Sequence, residues 1–166
     1  MPPFMLFLDP ALLPQGPLMA IDPGTKTLGV AVSNTDRTLV TPLTTIQRVK
    51  FTPDAQALLA LYDERNCKGL IIGLPLHMDG GDGRRAQSSR SFATNLLRLR
   101  DLPICFQDER LSTFAATESL LEAGVKHAQH KDFVDAQAAA VILESAIARI
   151  NKGVSQPLPS PDDPLS

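Results

Sequence analysis

The sequence is poor in residues that several common kinds of protein require. It has no tryptophan and one tyrosine, and its seven phenylalanines lie mostly within apolar runs, so we expect no aromatic platform for stacking bases. No apolar stretch approaches the roughly 18 residues of a membrane-spanning helix. Sixteen Lys and Arg against eighteen Asp and Glu give a net charge of −2, which excludes a strongly basic, histone-like binder.

Cysteine is also scarce. Cys67 and Cys105 are far apart and show neither metal-ligand spacing nor a disulfide framework. Cys105 lies in the apolar run 103–106, so we expect it to be a small buried side chain. Residues 1–20 lack a basic start and are interrupted by prolines, unlike a signal peptide. These features predict a protein of the reducing cytoplasm, without a membrane span.

The length of 166 residues is typical of one domain. We predict flexible tails at 1–16 and at the proline-rich 153–166, around a domain at 17–152. Apolar residues make up 43% and charged residues 20%, an ordinary globular composition. Within the domain, 84–100 carries five arginines and no acid, which fits either a solvated helix face or a phosphate-binding surface.

Hydrophobic patterning predicts an α/β fold. Three short strands come first, at 18–22, 28–33 and 39–46, and their short connections favour an antiparallel meander. Further elements follow: a helix at 53–65 with Thr52 as N-cap, a strand at 69–73, a helix at 84–99, a strand at 102–106, and helices at 112–123 and 131–150. This order predicts a five-stranded mixed sheet with helices on both faces and a ligand site beyond the carboxyl ends of the parallel strands.

Acidic residues occur at the predicted strand ends. Asp22 ends the first strand just before Pro-Gly, which suits either a turn residue or a ligand for a hard cation. Asp108 and Glu109 follow the fifth strand. Because side chains alternate along a strand, one of these two acids can continue toward the site of Asp22. The other is free to pair with Arg110 in a surface turn.

Asp135 is the third acidic candidate. Apolar residues stand three, four and seven positions further on, so we expect its carboxylate on the helix face that packs against the sheet. A carboxylate there must be paired, protonated or bound to metal, unless it is a first-turn acid that reaches solvent, with Asp132 as N-cap. Three converging carboxylates repel each other. A pair of Mg²⁺ or Mn²⁺ ions would offset that repulsion and hold a phosphodiester.

Six sequence blocks form an ordered set of motifs. They are AIDPGTKTLGVAVS at 20–33, GLPLHMDG at 73–80, RAQ at 85–87, DERLST at 108–113, LEAGV at 121–125 and VDA at 134–136. Together, over about residues 18–150, they resemble the bacterial YqgF/RuvX family. The resemblance implies an RNase H-like fold. It also implies a nuclease that processes the 5′ end of precursor 16S ribosomal RNA, or a Holliday junction resolvase in DNA recombination and repair.

The resemblance also implies roles for particular residues. Asp22, Glu109 and Asp135 correspond to the catalytic, metal-binding acids, and the choice of Glu109 over Asp108 rests on the family. Lys26 matches a basic position of the family. With the basic residues that the sequence itself offers, the expected substrate-binding residues are Lys26, Arg84, Arg85, Arg110 and Lys131. They would bind the phosphates of structured RNA or branched DNA without reading sequence. The alternative for these residues is an ordinary solvated surface.

The chain departs from the family pattern at three positions. Thr27 replaces a usual arginine, His77 a usual asparagine, and Arg84 a usual proline. The predicted metal ligands are unaffected, whereas substrate contacts around residues 74–85 are open to change.

Three other functions compete with an RNA-processing nuclease. The segment 22–25 resembles the phosphate loop of actin-like and sugar kinases, but a chain of this length supplies one of the two domains they need. A non-catalytic RNA-binding module would gain nothing from acids that face phosphate. A junction resolvase needs two active sites related by two-fold symmetry, hence a homodimer. The sequence shows no long exposed apolar face for dimerisation, and both monomer and homodimer stay open.

Overall fold

The computed structural model describes residues 6–7, 13–24, 26–75, 83–108 and 131–151, with the backbone alone at 6–7, 84–85 and 131–134. The described elements are β1 (Leu6–Phe7), β2 (Leu18–Pro23), β3 (Thr27–Ser33), β4 (Val40–Gln47), α1 (Phe51–Glu64), β5 (Gly69–Leu74), α2 (Arg84–Leu99), β6 (Ile104–Asp108) and α3 (Lys131–Asn151). The helix predicted at 112–123 lies outside the described residues.

The strands form one sheet in the order β1-β6-β5-β2-β3-β4. The pairs β2–β3 and β3–β4 are antiparallel, while β2–β5 and β5–β6 are parallel, which confirms the predicted meander and parallel strands. β1 pairs with β6 over two residues and adds a short edge strand to the five predicted. Leu13 is 4% exposed and belongs to the core on the α3 side of the sheet.

Different helices cover the two faces of the sheet. Successive strand residues point to opposite faces, so the apolar runs of the inner strands supply both cores. One core joins α1 and α2 to the strand residues Met19, Ile21, Leu28, Val30, Leu70, Ile72 and Ile104. The other joins α3 to Leu18, Ala20, Ala31, Ile71 and Cys105. The prediction of helices on both faces is therefore confirmed.

The position of β6 differs from the prediction. The strand spans Ile104–Asp108 rather than 102–106. Leu102 is buried, which explains its apolar character, but Pro103 has no backbone N–H and precedes the strand. The carbonyl of Pro103 still accepts a hydrogen bond from Leu70 N–H at 2.9 Å. Consequently Asp108 is the last residue of the strand and does not follow it.

The start of α1 also differs. The helix begins at Phe51, with Lys50 as N-cap in place of the predicted Thr52. The Asp54 carboxylate binds the preceding turn, accepting from Val49 N–H at 3.1 and 3.2 Å. Across the described ranges of the chain, no helix is both long and apolar enough to cross a membrane.

Candidate active site

The carboxyl ends of β2, β5 and β6 meet at one edge of the sheet. There Asp22 lies opposite Gly29 in the β2–β3 pairing, and Gly73 lies opposite Gln107 in the β5–β6 pairing. The preceding residues of β2 and β5 are paired with each other, which brings Asp22 level with Gly73. Alternation places all four on the face covered by α3. We call Gly29, Asp22, Gly73 and Gln107 the carboxyl-edge floor.

Helix α3 touches this floor at Gly29. A Cβ atom built on Gly29 would lie 2.0 Å from the carbonyl oxygen of Asp135 and 2.6 Å from its carbonyl carbon. Glycine inside a strand commonly marks such a close approach of backbones. Since Gly29 is also the cross-strand partner of Asp22, the two aspartates adjoin the same residue from neighbouring elements.

The Asp135 side chain faces the sheet. Its Oδ2 accepts a hydrogen bond of 2.9 Å from the hydroxyl of Thr27, the first residue of β3. Both residues are half-buried. The carboxylate that the sequence predicted to be paired, protonated or bound to metal is thus hydrogen-bonded across 108 positions of sequence.

The available donors have the chemistry of a hard-cation site. Asp22 and Asp135 are half-buried and come from separate elements, and carboxylate oxygens are the ligands that Mg²⁺ and Mn²⁺ prefer. The third predicted ligand, Glu109, lies outside the described residues. Within the described ranges, no three acidic, histidine or cysteine side chains form a cation site. Alternation along β6 places Asp108 on the face of α1 and α2, away from Asp22.

The predicted substrate-binding residues lie on different elements, and one is outside the described residues. Lys26 is exposed in the turn between β2 and β3. Arg84 and Arg85 are the first two residues of α2, and Lys131 is the first residue of α3. Arg110 lies outside the described residues. A helix that follows a parallel strand begins near that strand's carboxyl end, so the start of α2 belongs to the same edge of the sheet.

Arg48, which is not among the predicted site residues, supports the turn that carries Lys26. Its backbone N–H donates to Lys26 O at 2.9 Å, and its Nη1 donates to Gly24 O at 2.5 Å. The turn itself is closed by Gly24 N–H, which donates to Thr27 O at 2.8 Å. The guanidinium also lies 5.6 Å from the centre of the Phe92 ring on α2. No local motif marks such an arginine in the sequence.

Gln107 is a second residue of this edge that no sequence motif marks. It is 1% exposed, and its Oε1 accepts a hydrogen bond of 2.9 Å from the Arg149 guanidinium. Its Nε2 makes no hydrogen bond within the described part of the chain. Buried amides are normally paired, so Gln107 is an unusual component of a sheet face. Its presence after the apolar residues 104–106 was the available signal.

The cysteines are buried and free, as expected for Cys105. Burial raises the pKa of the Cys67 thiol to about 11, so it is protonated at neutral pH. Neither cysteine has the character of a nucleophile.

The family comparison gives an extended match. A family model described as "RuvX: Holliday junction resolvase" matches residues 16–149. A protein of Paramagnetospirillum magneticum is 52% identical over 130 residues, covering 78% of this chain and 84% of the relative. A protein of Phenylobacterium zucineum is 51% identical over 144 residues, covering 85% and 92%. Both carry the name "Putative pre-16S rRNA nuclease".

Solved structures share the fold. The Thermus thermophilus RuvC structure in complex with a Holliday junction substrate superposes with a TM-score of 0.55 at 16% identity, covering 86% of this chain and 99% of RuvC. A second T. thermophilus RuvC structure gives a TM-score of 0.52 at 14% identity over the same shares of the two chains. At this identity the likeness shows the fold alone. It confirms the expected RNase H-like arrangement of a mixed sheet between helices.

Proposed function

The chain belongs to the RuvX family, and from that premise we propose that it is a divalent-metal-dependent nuclease that hydrolyses phosphodiester bonds. The supporting observation is the approach of Asp22 and Asp135 to the same residue, Gly29, at the carboxyl edge of the sheet. Two aspartates on separate elements that adjoin one glycine could share a cation, which would offset the repulsion between their charges. Buried apolar packing alone would not require either aspartate.

The proposed substrate is precursor 16S ribosomal RNA, cut at its 5′ end. The support is the shared name of relatives that are 52% and 51% identical and align over most of both chains. The alternative is a DNA four-way junction, which the description of the family model favours. The proposed compartment is the cytoplasm, which suits two free, buried cysteines.

The proposed roles follow from the family resemblance together with residue chemistry. Asp22, Glu109 and Asp135 would hold the metal, and a bound pair of Mg²⁺ or Mn²⁺ ions would activate the attacking water and stabilise the leaving 3′ oxygen. The basic residues neutralise and position the substrate phosphates: Lys26, Arg84, Arg85, Arg110 and Lys131. Because these contacts involve no bases, sequence preference would come from the shape of the substrate.

The test offers three substrates in parallel to the purified full chain, with Mn²⁺, with Mg²⁺ and with EDTA. The substrates are a 16S precursor with its 5′ extension, an unstructured single-stranded RNA and a DNA four-way junction. Asp22→Asn should lower the cleavage rate by more than about a hundredfold, beyond the loss typical of outer-shell changes at metal sites. Asp36→Asn is the matched control, because Asp36 is exposed in the turn between β3 and β4 at the opposite end of the sheet.

Metal-dependent cutting of the precursor by wild type and Asp36→Asn, and not by Asp22→Asn, supports the proposal. Cleavage of the junction alone would support the alternative, a Holliday junction resolvase, whose active form must be a dimer. Full activity of Asp22→Asn overturns the metal mechanism. Binding of RNA without cleavage under any ion indicates the non-catalytic module and overturns the nuclease proposal.

A further inference from the structure

Asp135 is held at two points, both on β3. Its backbone carbonyl abuts Gly29, where even a methyl group would not fit. Its Oδ2 accepts the hydrogen bond of 2.9 Å from Thr27 Oγ1. The first contact locates the main chain of α3, and the second locates the end of the side chain. An aspartate fixed at both ends has little freedom left in its two side-chain torsions.

We propose that Thr27 is a positioning residue for the candidate metal site, an inference that rests on the proposed function. Its hydroxyl holds Oδ2 of Asp135 and leaves Oδ1 available as a cation ligand. A carboxylate that is already oriented loses less side-chain entropy when it binds an ion. Outer-shell hydrogen bonds of this kind typically change metal affinity by about 10–100-fold.

Thr27 is itself well placed to act as a fixed donor. It pairs with Gln47 in the antiparallel ladder of β3 and β4. Its carbonyl accepts the hydrogen bond of 2.8 Å from Gly24 N–H, so the backbone is held on the side of the turn as well. The β-branched side chain adds a stiff first torsion. The donor position is therefore set by the sheet and does not depend on the conformation of α3.

A merely structural tie between β3 and α3 would have a different consequence. Removing a purely structural hydrogen bond would lower the stability of the metal-free protein, with no specific loss of metal affinity. The two possibilities separate when stability and Mn²⁺ binding are measured on the same variants. Thr27→Val removes the hydroxyl and keeps the branched shape, whereas Thr27→Ser keeps the hydroxyl.

The experiment measures Mn²⁺ affinity of the full chain from the electron paramagnetic resonance signal of free Mn²⁺, without nucleic acid. Thr27→Val should bind Mn²⁺ about tenfold or more weakly than wild type, and Thr27→Ser should remain near wild type. Thr44→Val is the matched control, because Thr44 is exposed on the neighbouring strand β4. Metal-free melting temperatures of all four proteins are recorded alongside.

A second readout comes from cleavage. Thr27→Val should need about tenfold more Mn²⁺ for half-maximal rate, while the rate at saturating Mn²⁺ stays near that of wild type. Unchanged Mn²⁺ affinity in Thr27→Val overturns the inference and leaves the proposed function standing. A weaker affinity that Thr27→Ser does not restore, with a lowered metal-free melting temperature, also overturns it. If wild type binds no Mn²⁺, the proposed function fails together with the inference.

Discussion

The two faces of the sheet differ most at its carboxyl edge. On the face of α1 and α2, the strand residues there are Ile21, Leu28, Ile72 and Phe106. The next residues along the same strands, on the α3 face, are Asp22, Gly29, Gly73 and Gln107. At these four positions one face is apolar, and the other has carboxylate, amide and bare backbone. Apolar packing requires neither the carboxylate nor the amide, so the second face is the candidate for the functional site.

The two faces are also closed in different ways. On one side, the rings of Phe51 and Phe92 meet edge to face with centres 5.3 Å apart, and the Arg48 guanidinium lies over Phe92. On the other side, α3 closes on the floor through backbone contact at Gly29 and the hydrogen bond to Asp135. Changes in the Phe51–Phe92 packing should alter stability alone. Changes at the contact of α3 with Gly29 and Thr27 should alter stability and metal binding together.

Gly29→Ala should cause the largest combined loss of stability and of Mn²⁺ binding. The new Cβ would lie 2.0 Å from a backbone oxygen of α3, which has no flexible end to move. We expect a loss of about 1–3 kcal/mol or more in the free energy of unfolding. The displaced Asp135 should also weaken Mn²⁺ binding. Urea denaturation and Mn²⁺ titration measure the two effects.

Gly69→Ala is the matched control for Gly29→Ala. Gly69 is on the same face at the other end of β5, and its new Cβ would lie 3.0 Å from Leu18 Cδ2 and 3.1 Å from Leu13 Cδ2. These are side-chain atoms that can shift, so we expect a smaller loss of stability and unchanged Mn²⁺ binding. Equal losses in the two variants would refute the account of the close approach at Gly29.

Arg149→Met should have an intermediate effect. The change removes the 2.9 Å hydrogen bond to Oε1 of the buried Gln107 and leaves that oxygen without this donor. An unsatisfied buried acceptor costs about 1–3 kcal/mol, measurable as a lowered midpoint in urea denaturation. Arg98→Met, an exposed change in the last turn of α2, should stay within about 0.5 kcal/mol of wild type. A similar result for both variants would show that the Gln107 amide is satisfied in another way.

Arg100→Gln should have the smallest effect. Arg100 donates to both oxygens of Asp63, at 2.9 and 2.5 Å, on the surface beside Tyr62. The hydrogen bond from Arg100 lowers the pKa of Asp63 below its ordinary value. A lowered pKa in the folded state stabilises the protein above the ordinary pKa, and this contribution is lost as the pH falls through the folded value.

The stability of Arg100→Gln and wild type should therefore differ most near neutral pH and converge in acid. Thermal melts between pH 3 and pH 7 measure this difference, and cleavage by the two proteins should be equal. A gap that widens as the pH falls would contradict the assigned cause. Loss of cleavage in Arg100→Gln would contradict the claim that only the α3 face of the sheet carries the active site.

Much of the fold could be predicted from the sequence, because buried apolar runs and turn residues are local signals. The short strand β1 was missed, since two residues carry no periodicity. The predicted limits of β6 were displaced from the observed ones because the buried residues and the paired residues do not coincide there. Leu102 is buried before the strand begins, and Gln107 is a polar residue within it.

The site was predictable in part. Asp22 stood out as an acid at a strand end, and Asp135 stood out because apolar residues share its helix face. Gly29 did not stand out, and Thr27 was marked only as a departure from the family pattern, because the importance of both depends on contact with a residue more than a hundred positions away in the sequence. Arg48 was equally invisible, since its hydrogen bonds to Gly24 and Lys26 arise when β4 returns beside the first turn.

The most direct test of the account is a crystal structure with Mn²⁺, in which anomalous scattering locates the ion. We expect one peak, or two about 3.5–4 Å apart, bound by carboxylate oxygens of both Asp22 and Asp135. The ligand distances should be near the roughly 2.0–2.6 Å of hard cations, and Asp22→Asn should lose the peaks. Mn²⁺ bound elsewhere, with neither carboxylate in contact, would contradict the account.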